Sequence, residues 1–577
     1  MTTRTRRLSM LCACGLALAV VQGTARPGAA DADLTLGAAA GAIQPLRGIN
    51  VGPLGNFAFP NLTSAYQDRA INLIRTHDFQ GPLDMSTMYP DRSKNPALAS
   101  SFNFTGMVGF EFHSSDDTYR SIVDNGFEPY LRLGDSFSNA TPPTVSQYPN
   151  WEQAALQVIR HYREGAMNGF TSNLRYIEIW NEPNNQAFWP PPSTSADYFK
   201  LYTETASLLK TAIPALMVGG PAIGSSGCTT STGQAFTRSF LDAVRAANAP
   251  LDFFSWHLYT NAPDQFAACA AFVRAELDAR GFTSTVQIVS EWNTDASGVS
   301  SATAVDVRAN ARGSALSTAA WIGMQTSGVV QEMFYKGPEP ATDDGAFYGM
   351  FRSSGVPKKV GYAALLWSTL SQYQTRLSIS GGASNFHAIA ASSPAAGTAV
   401  LAANNSSSAR TWSVASLAGS SVTVKTVSDA ADGVVTTTQT TSTFSIPAYG
   451  VQLISVGPGP ASTQAFTATA SASGSSSSLT LDVSLTVAAA DIGQTGVIFI
   501  AANLGSQWYF FNGSAWQPWA SGNYPAYVAG ALPSSSTARV LSVTNVNAFR
   551  GAAIYVAYGR SQADMLSRGL YRLVYTL

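Results

Sequence analysis

Charge is the first thing this chain of 577 residues has little of. Asp, Glu, Lys and Arg make up 12% of it and leave a formal net charge of −1. So flat a balance argues against a nucleic-acid partner, whose phosphates call for a basic face. Histidine is scarce, five residues in all, and there are only four cysteines. These form no H-E-x-x-H and no clustered Cys/His spacing, and there is no Asp-rich calcium loop, so no metal site is expected. A P-loop, a serine nucleophile elbow and a G-x-G-x-x-G fingerprint are missing too, and no cofactor is expected. The apolar run Leu8–Val21 follows Arg4, Arg6 and Arg7 and precedes small residues around Ala25 and Ala30. That is the pattern of a cleaved signal peptide, placed at 1–30, and not of a membrane span. The expected location is therefore secreted or periplasmic, with no oligomeric state implied.

Glutamate is confined as well: none precedes Glu111 and none follows Glu339. Two of the few close short apolar runs, Glu182 in Tyr176-Ile-Glu-Ile-Trp-Asn-Glu-Pro-Asn184 and Glu291 in Val286-Gln-Ile-Val-Ser-Glu-Trp-Asn293. Each alone reads equally well as a strand-end glutamate paired with an arginine. Together they suit glycosidic-bond cleavage, in which one carboxylic acid protonates the leaving oxygen and a carboxylate meets the sugar carbon from the other side.

Eight runs rich in Val, Ile, Leu and aromatics alternate with helix-like stretches: Leu46–Val51, Leu73–Asp78, Glu128–Leu133, Tyr176–Asn181, Leu216–Pro221, Phe253–Tyr259, Val286–Trp292 and Val329–Tyr335. Eight such units predict an α/β fold, a (β/α)8 TIM barrel over 31–370, whose chemistry sits at the C-terminal strand ends. Glu182 then closes strand four and Glu291 strand seven. Loss of the signal peptide leaves Cys228 and Cys269, expected in loops after strands five and six. They read as a disulfide, with two separate thiols as the alternative.

The blocks Arg75-Thr-His-Asp78, Trp180-Asn-Glu-Pro-Asn184, Ser255-Trp-His-Leu-Tyr259 and Gly349-Met-Phe-Arg-Ser-Ser-Gly-Val-Pro-Lys-Lys359 stand in that order along the chain. Over about residues 43 to 456 the sequence resembles glycoside hydrolase family 39 of the clan A retaining glycosidases. That family includes β-xylosidases, α-L-iduronidases, arabinofuranosidases and enzymes that cut bacterial exopolysaccharides. The resemblance implies Glu182 as general acid/base, Glu291 as nucleophile and Asn181 as donor to the sugar 2-hydroxyl. His77, His257 and Tyr259 are further pocket candidates, Tyr259 as a hydroxyl donor to the nucleophile. Trp292, Tyr335, Trp180 and Trp189 are candidate platforms for sugar rings. Glu178 is expected to be a buried partner of Arg75 or Arg132 with no chemical role. Like charges so close imply that one carboxyl is pushed up and holds its proton. The substrate class is an oligo- or polysaccharide, with exo and endo action both open. The alternative is an inactive carbohydrate-binding or scaffold protein on the same barrel.

Beyond Leu370 helical periodicity gives way to alternating runs such as Ser420–Val427, which predict a β-sandwich over 371–456. Gly457-Pro-Gly-Pro-Ala-Ser-Thr463 reads as a linker. An all-β accessory domain is expected over 464–577, where Trp508, Tyr509, Trp516 and Trp519 serve either a binding surface or the domain's own core.

Overall fold

The computed structural model describes residues 30–55, 60–77, 81–108, 113–136, 141–295, 301–339, 345–457, 466–505, 507–568 and 570–577. All but the last residue of the expected signal peptide, all but Gly457 of the expected linker, and Asp78 lie outside them. Eight parallel strands close a barrel: Gly48–Asn50, Leu73–Arg75, Glu128–Leu133, Tyr176–Ile179, Met217–Ile223, Phe253–Tyr259, Val286–Asn293 and Val329–Phe334. The first pairs with the last through Gly48↔Met333 and Ile49↔Phe334, which completes the ring. Each strand coincides with one of the eight apolar runs. A parallel strand buried on both faces reads as a continuous apolar stretch and not as an alternation.

Inside the ring the lower layer is apolar, formed by Leu73, Tyr130, Phe253, Ile288 and Met333. The outward residues of the same strands, such as Ile74, Leu131, Ile177 and Val289, pack under the surrounding helices. Those helices include Tyr148–Glu164, Ser195–Ala212, Ser231–Ala246, Asp264–Ala279, Ala311–Met324 and Lys359–Ser371. Their starts follow local rules. Thr194 caps Ser195–Ala212 in a reciprocal box with Asp197, and Gly165, at φ 77°, ends Tyr148–Glu164 in the left-handed region.

A nine-stranded sheet packs beside the barrel. Strand Gly397–Asn404 shows why it has two buried faces. Ala399, Leu401 and Ala403 join the core shared with the barrel helices, while Val400 and Ala402 face Trp412, Phe444 and Ile446 within the sheet's own core. The sequence reading began the barrel at residue 31. The structure has strand Ala32–Ala42 in this sheet instead, between Thr375–Gly381 and Arg410–Val414. Its inward Ala32 and Leu34 alternate with exposed neighbours, and that period-2 pattern is one that a short N-terminal segment hides.

From Phe466 onward a three-stranded and a six-stranded sheet enclose a separate apolar core. Among the described residues, no helix is long and apolar enough to cross a membrane.

Candidate active site

Strands two, four, six and seven each send a polar side chain to the C-terminal mouth of the barrel. Arg75 lies at the centre, fully buried. Its Nε donates to Glu178 at 2.7 Å, Nη1 to Glu291 at 3.1 Å and to Asn50 at 3.0 Å, and Nη2 to Asn181 at 2.6 Å. One guanidinium fork thus fixes residues from strands one, four and seven. Glu178 also accepts from the Tyr130 hydroxyl at 2.8 Å. Burial works to raise the Glu178 carboxyl, but Arg75, with lesser help from His257, Ser290 and Ser255, holds it below the usual range. It is the anionic anchor of Arg75, as expected.

His257 stands between the two candidate carboxylates. Its Nδ1 is 2.9 Å from Glu182 and 3.9 Å from Glu291, and its Nε2 is 3.1 Å from the Ser290 hydroxyl. One carboxylate oxygen from each glutamate and a His257 nitrogen all lie within 4.8 Å of one another. Such spacing is also that of a metal cluster. The Arg75 cation against Glu291 already supplies the positive charge there, which disfavours a second cation. Tyr259 donates its hydroxyl to the other oxygen of Glu291 at 2.5 Å. Burial and the neighbouring carboxylate push that phenol well above its ordinary range, so it remains a donor.

For Glu182 the electrostatics differ from expectation. Burial acts to raise its carboxyl, but the hydrogen bond and charge of His257 outweigh it, aided by the Asn185 amide at 2.8 Å and by Arg75. The carboxyl of the free site therefore lies below its ordinary value. Sequence reasoning counted the second carboxylate and missed the imidazole set between the two.

His77 is buried, with Nε2 3.8 Å from Glu291, and burial plus the nearby cations hold it well below its ordinary value, hence neutral. Among the described residues, its Nδ1 and the Asn181 Nδ2 are buried atoms without a hydrogen-bond partner. Buried polar atoms are nearly always paired, so two orphans in one pocket suit the hydroxyls of a ligand. Tyr335 completes the wall, its ring 6.4 Å from both His77 and Tyr259.

The tryptophans fall elsewhere. On strand seven Ile288 faces into the barrel, and strict alternation would send Ser290 and Trp292 inward and Glu291 outward. Pairing with strand six instead slips by one residue, from Trp256↔Val289 to His257↔Glu291. This bulge lets Ser290 and Glu291 both face in and turns Trp292 out, where it packs edge-on against Phe266, Trp321 and Phe334 and donates to Glu332. On strand four the inversion comes from Trp180, at φ 75°. Its ring points out between Trp151 and Trp189, and Asn181 takes the inward place. Glu182 follows Asn181 at φ 43°, so strained residues on either side of Asn181 aim the acid. Trp292 and Trp180 are thus packing residues and not pocket walls, while Trp189 packs edge-on against Trp180 and Tyr198 and lines a cleft between the loops after strands four and five.

The residues missed by sequence reasoning are Asn50, Ser290 and Asn185. Asn50 donates to the Ser290 carbonyl at 3.0 Å, and its only signal was a polar residue closing an apolar run. Cys228 and Cys269 form a disulfide, with Cα atoms 5.3 Å apart. The second cysteine lies on helix Asp264–Ala279 and not in a loop. In the C-terminal domain the Trp508 ring lies 5.5 Å from Tyr555 at a tilt, Trp519 packs edge-on to Tyr524, and Trp516 donates to the Val540 carbonyl.

Residues 59–292 match the family model described as Glycosyl hydrolases family 39. It is similar to a beta-xylosidase of Geobacillus stearothermophilus, 35% identical over 149 residues, which are 25% of this chain and 27% of that protein. It is similar also to a beta-xylosidase of Caldicellulosiruptor saccharolyticus, 28% identical over 178 residues, 27% of this chain and 33% of that one. The match thus spans about a third or less of either relative's length. In fold it is similar to a glucosidase from Croceicoccus marinus, with a TM-score of 0.59 and 22% identity over 74% of this chain and 99% of that one.

Proposed function

Proceeding from the family 39 match, we propose that this protein is a secreted retaining glycoside hydrolase that cleaves O-glycosidic bonds of an oligo- or polysaccharide by double displacement. The observation that carries the reading is the closeness of the Glu182 and Glu291 carboxylates, with oxygens within 4.8 Å at the ends of strands four and seven. Retaining enzymes hold their carboxyl groups about 5–5.5 Å apart, whereas inverting ones leave roughly 6.5–9.5 Å for a water.

Glu291 is the nucleophile. Tyr259 and Arg75 each hold one of its oxygens, which fixes the lone pair that attacks the anomeric carbon. Glu182 is the acid/base. On attack it gives its proton to the leaving oxygen, and it then takes one from the water that opens the glycosyl-enzyme. Asn181 Nδ2, which has no hydrogen-bond partner among the described residues, is in this reading the donor to the 2-hydroxyl. A signal peptide at 1–30 and the disulfide support export. The relatives' names make β-xylosides the first sugars to try. The experiment is a panel of 4-nitrophenyl glycosides with the first-formed anomer read by proton NMR. Turnover with retained configuration is expected. No turnover of any glycoside would favour the inactive barrel, and an inverted first product would exclude double displacement.

A further inference from the structure

In the C-terminal domain the six-stranded sheet turns one face to the three-stranded sheet. Trp516 stands on that face, and its indole donates to the Val540 carbonyl of strand Ser535–Thr544 at 3.1 Å. The other face can be read from the pairing register. Ala501 is opposite Phe510 on one side and Tyr555 on the other, Asn503 is opposite Trp508, and Ala557 is opposite Tyr571. Residues opposite one another share a face, as do alternate residues of one strand. Trp508, Phe510, Tyr555 and Tyr571 therefore stand together, away from Trp516, whose partner is Phe511. A hollow of about 330 Å³ opens among them. It exists because Ala501 and Ala557, on neighbouring strands, put methyl groups between large aromatics. Tyr524, whose ring stacks on Phe510 at 4.9 Å, and Leu566 of the short helix Gln562–Ser567 also line it.

The lining is apolar yet partly open to water, with Leu566 49% and Tyr571 46% exposed. Apolar surface left exposed around a hollow marks a place of contact. No charged side chain lines it, which disfavours an ionic ligand. The hydroxyls of Tyr524, Tyr555 and Tyr571 make no hydrogen bond to other described residues. A wholly apolar occupant, such as an acyl chain, would strip water from these hydroxyls and return no partner, which costs affinity. A sugar ring answers both features. Its C–H groups rest on the negative faces of the aromatic rings, and its hydroxyls exchange hydrogen bonds with the phenols.

We propose that this hollow is a binding site for a neutral polysaccharide, which lays a short stretch of its chain against Trp508 and Tyr555. Its volume is at the small end of the roughly 300–1,000 Å³ usual for ligand sites, so it grips a short stretch and does not enclose the chain. The site goes beyond the glycosidase reading and does not depend on it, because every lining residue belongs to the C-terminal domain.

The test is affinity electrophoresis of the full chain in native gels that contain xylan, mixed-linkage β-glucan, galactomannan or hydroxyethylcellulose, with polygalacturonate as the anionic control. The wild type is compared with Tyr555→Ala, which removes a ring, Ala557→Leu, which fills the hollow, and Tyr555→Phe, which removes only a hydroxyl. The expected result is that at least one neutral polymer retards the wild type and polygalacturonate does not. Apparent affinity then falls about tenfold or more in Tyr555→Ala and Ala557→Leu and several-fold in Tyr555→Phe, while aryl-glycoside turnover stays within about twofold in all three. Should Tyr555→Ala or Ala557→Leu fail to fold, Tyr555→Phe still decides. Retardation by none of the neutral polymers, equal retardation of wild type and variants, or stronger retardation by polygalacturonate would overturn the site. Absence of aryl-glycoside turnover in the wild type would instead count against the glycosidase reading and leave the gel result to stand by itself.

Discussion

His257 acts on the Glu182 carboxyl more than any other side chain does. It lies 2.9 Å from Glu182 and is the largest influence opposing burial on that carboxyl. The sign of its removal follows. With the imidazole gone, the Glu182 carboxyl loses the hydrogen bond that most opposes burial, so its pKa rises. An acid that must be protonated gives the alkaline limb of kcat/KM. His257→Asn is therefore expected to move that limb upward. A pH profile on an aryl glycoside measures it, and an unmoved or lowered limb would contradict the assignment. Most of this constellation was readable from residue type and strand position, since Glu182, Glu291, Asn181, His77, His257, Tyr259 and Tyr335 all meet at one mouth. Arg75 was visible only as part of a motif. Its role as the fork joining Glu178, Asn181, Glu291 and Asn50 needs side-chain geometry that no spacing encodes.

At the scale of the single strand, the lesson of Trp292 and Trp180 is that a period of two holds only until the backbone breaks it. A bulge on strand seven and a left-handed residue on strand four each shift the inward set by one. Neither leaves a mark in the sequence, which is why eight strands could be placed while two of their tryptophans were assigned to the wrong face. Trp292→Phe is accordingly expected to leave KM for an aryl glycoside within about twofold but to cost about 2 kcal/mol of stability, because Glu332 loses a donor in a dry site. A raised KM with unchanged melting would return Trp292 to the pocket. Glu332 itself is pushed up to about 8 by burial, opposed only in part by the two indole donors of Trp292 and Trp321 and a backbone contact. A carboxyl raised this way contributes stability that is fully present below its unfolded value and is lost as pH rises through about 8. Glu332→Gln cannot ionise. Its melting temperature relative to wild type should therefore rise steadily from pH 5 to pH 8.5, and a difference independent of pH would show that Glu332 is charged throughout.

In the whole molecule the chain order does not follow the spatial order. Strand Ala32–Ala42 crosses from the start of the sequence into the middle of the sheet beside the barrel, pairing on both edges. The C-terminal region from Phe466 encloses a core of its own. We expect the two ends to respond differently to deletion. Removing 464–577 should leave the melting temperature of the remainder and the turnover of an aryl glycoside nearly unchanged, because an independent core implies independent folding. Starting the chain at residue 43 should lower the melting temperature markedly or yield insoluble protein, since it opens the sheet between Thr375–Gly381 and Arg410–Val414. Differential scanning calorimetry of the two truncations reads both outcomes. A C-terminal deletion that abolishes aryl-glycoside turnover would make that domain part of the catalytic unit.

The division of labour between Glu182 and Glu291 is tested most directly by azide. Glu182→Ala lacks the proton donor and base but keeps the nucleophile, so a dinitrophenyl glycoside should still form the covalent intermediate, and its hydrolysis should stall. Azide attacks without needing a base. We predict that it restores turnover of Glu182→Ala and yields a glycosyl azide of retained configuration, while Glu291→Gln gains no retained product. Rescue of neither variant, or a retained azide from Glu291→Gln, would contradict the roles assigned to the two glutamates.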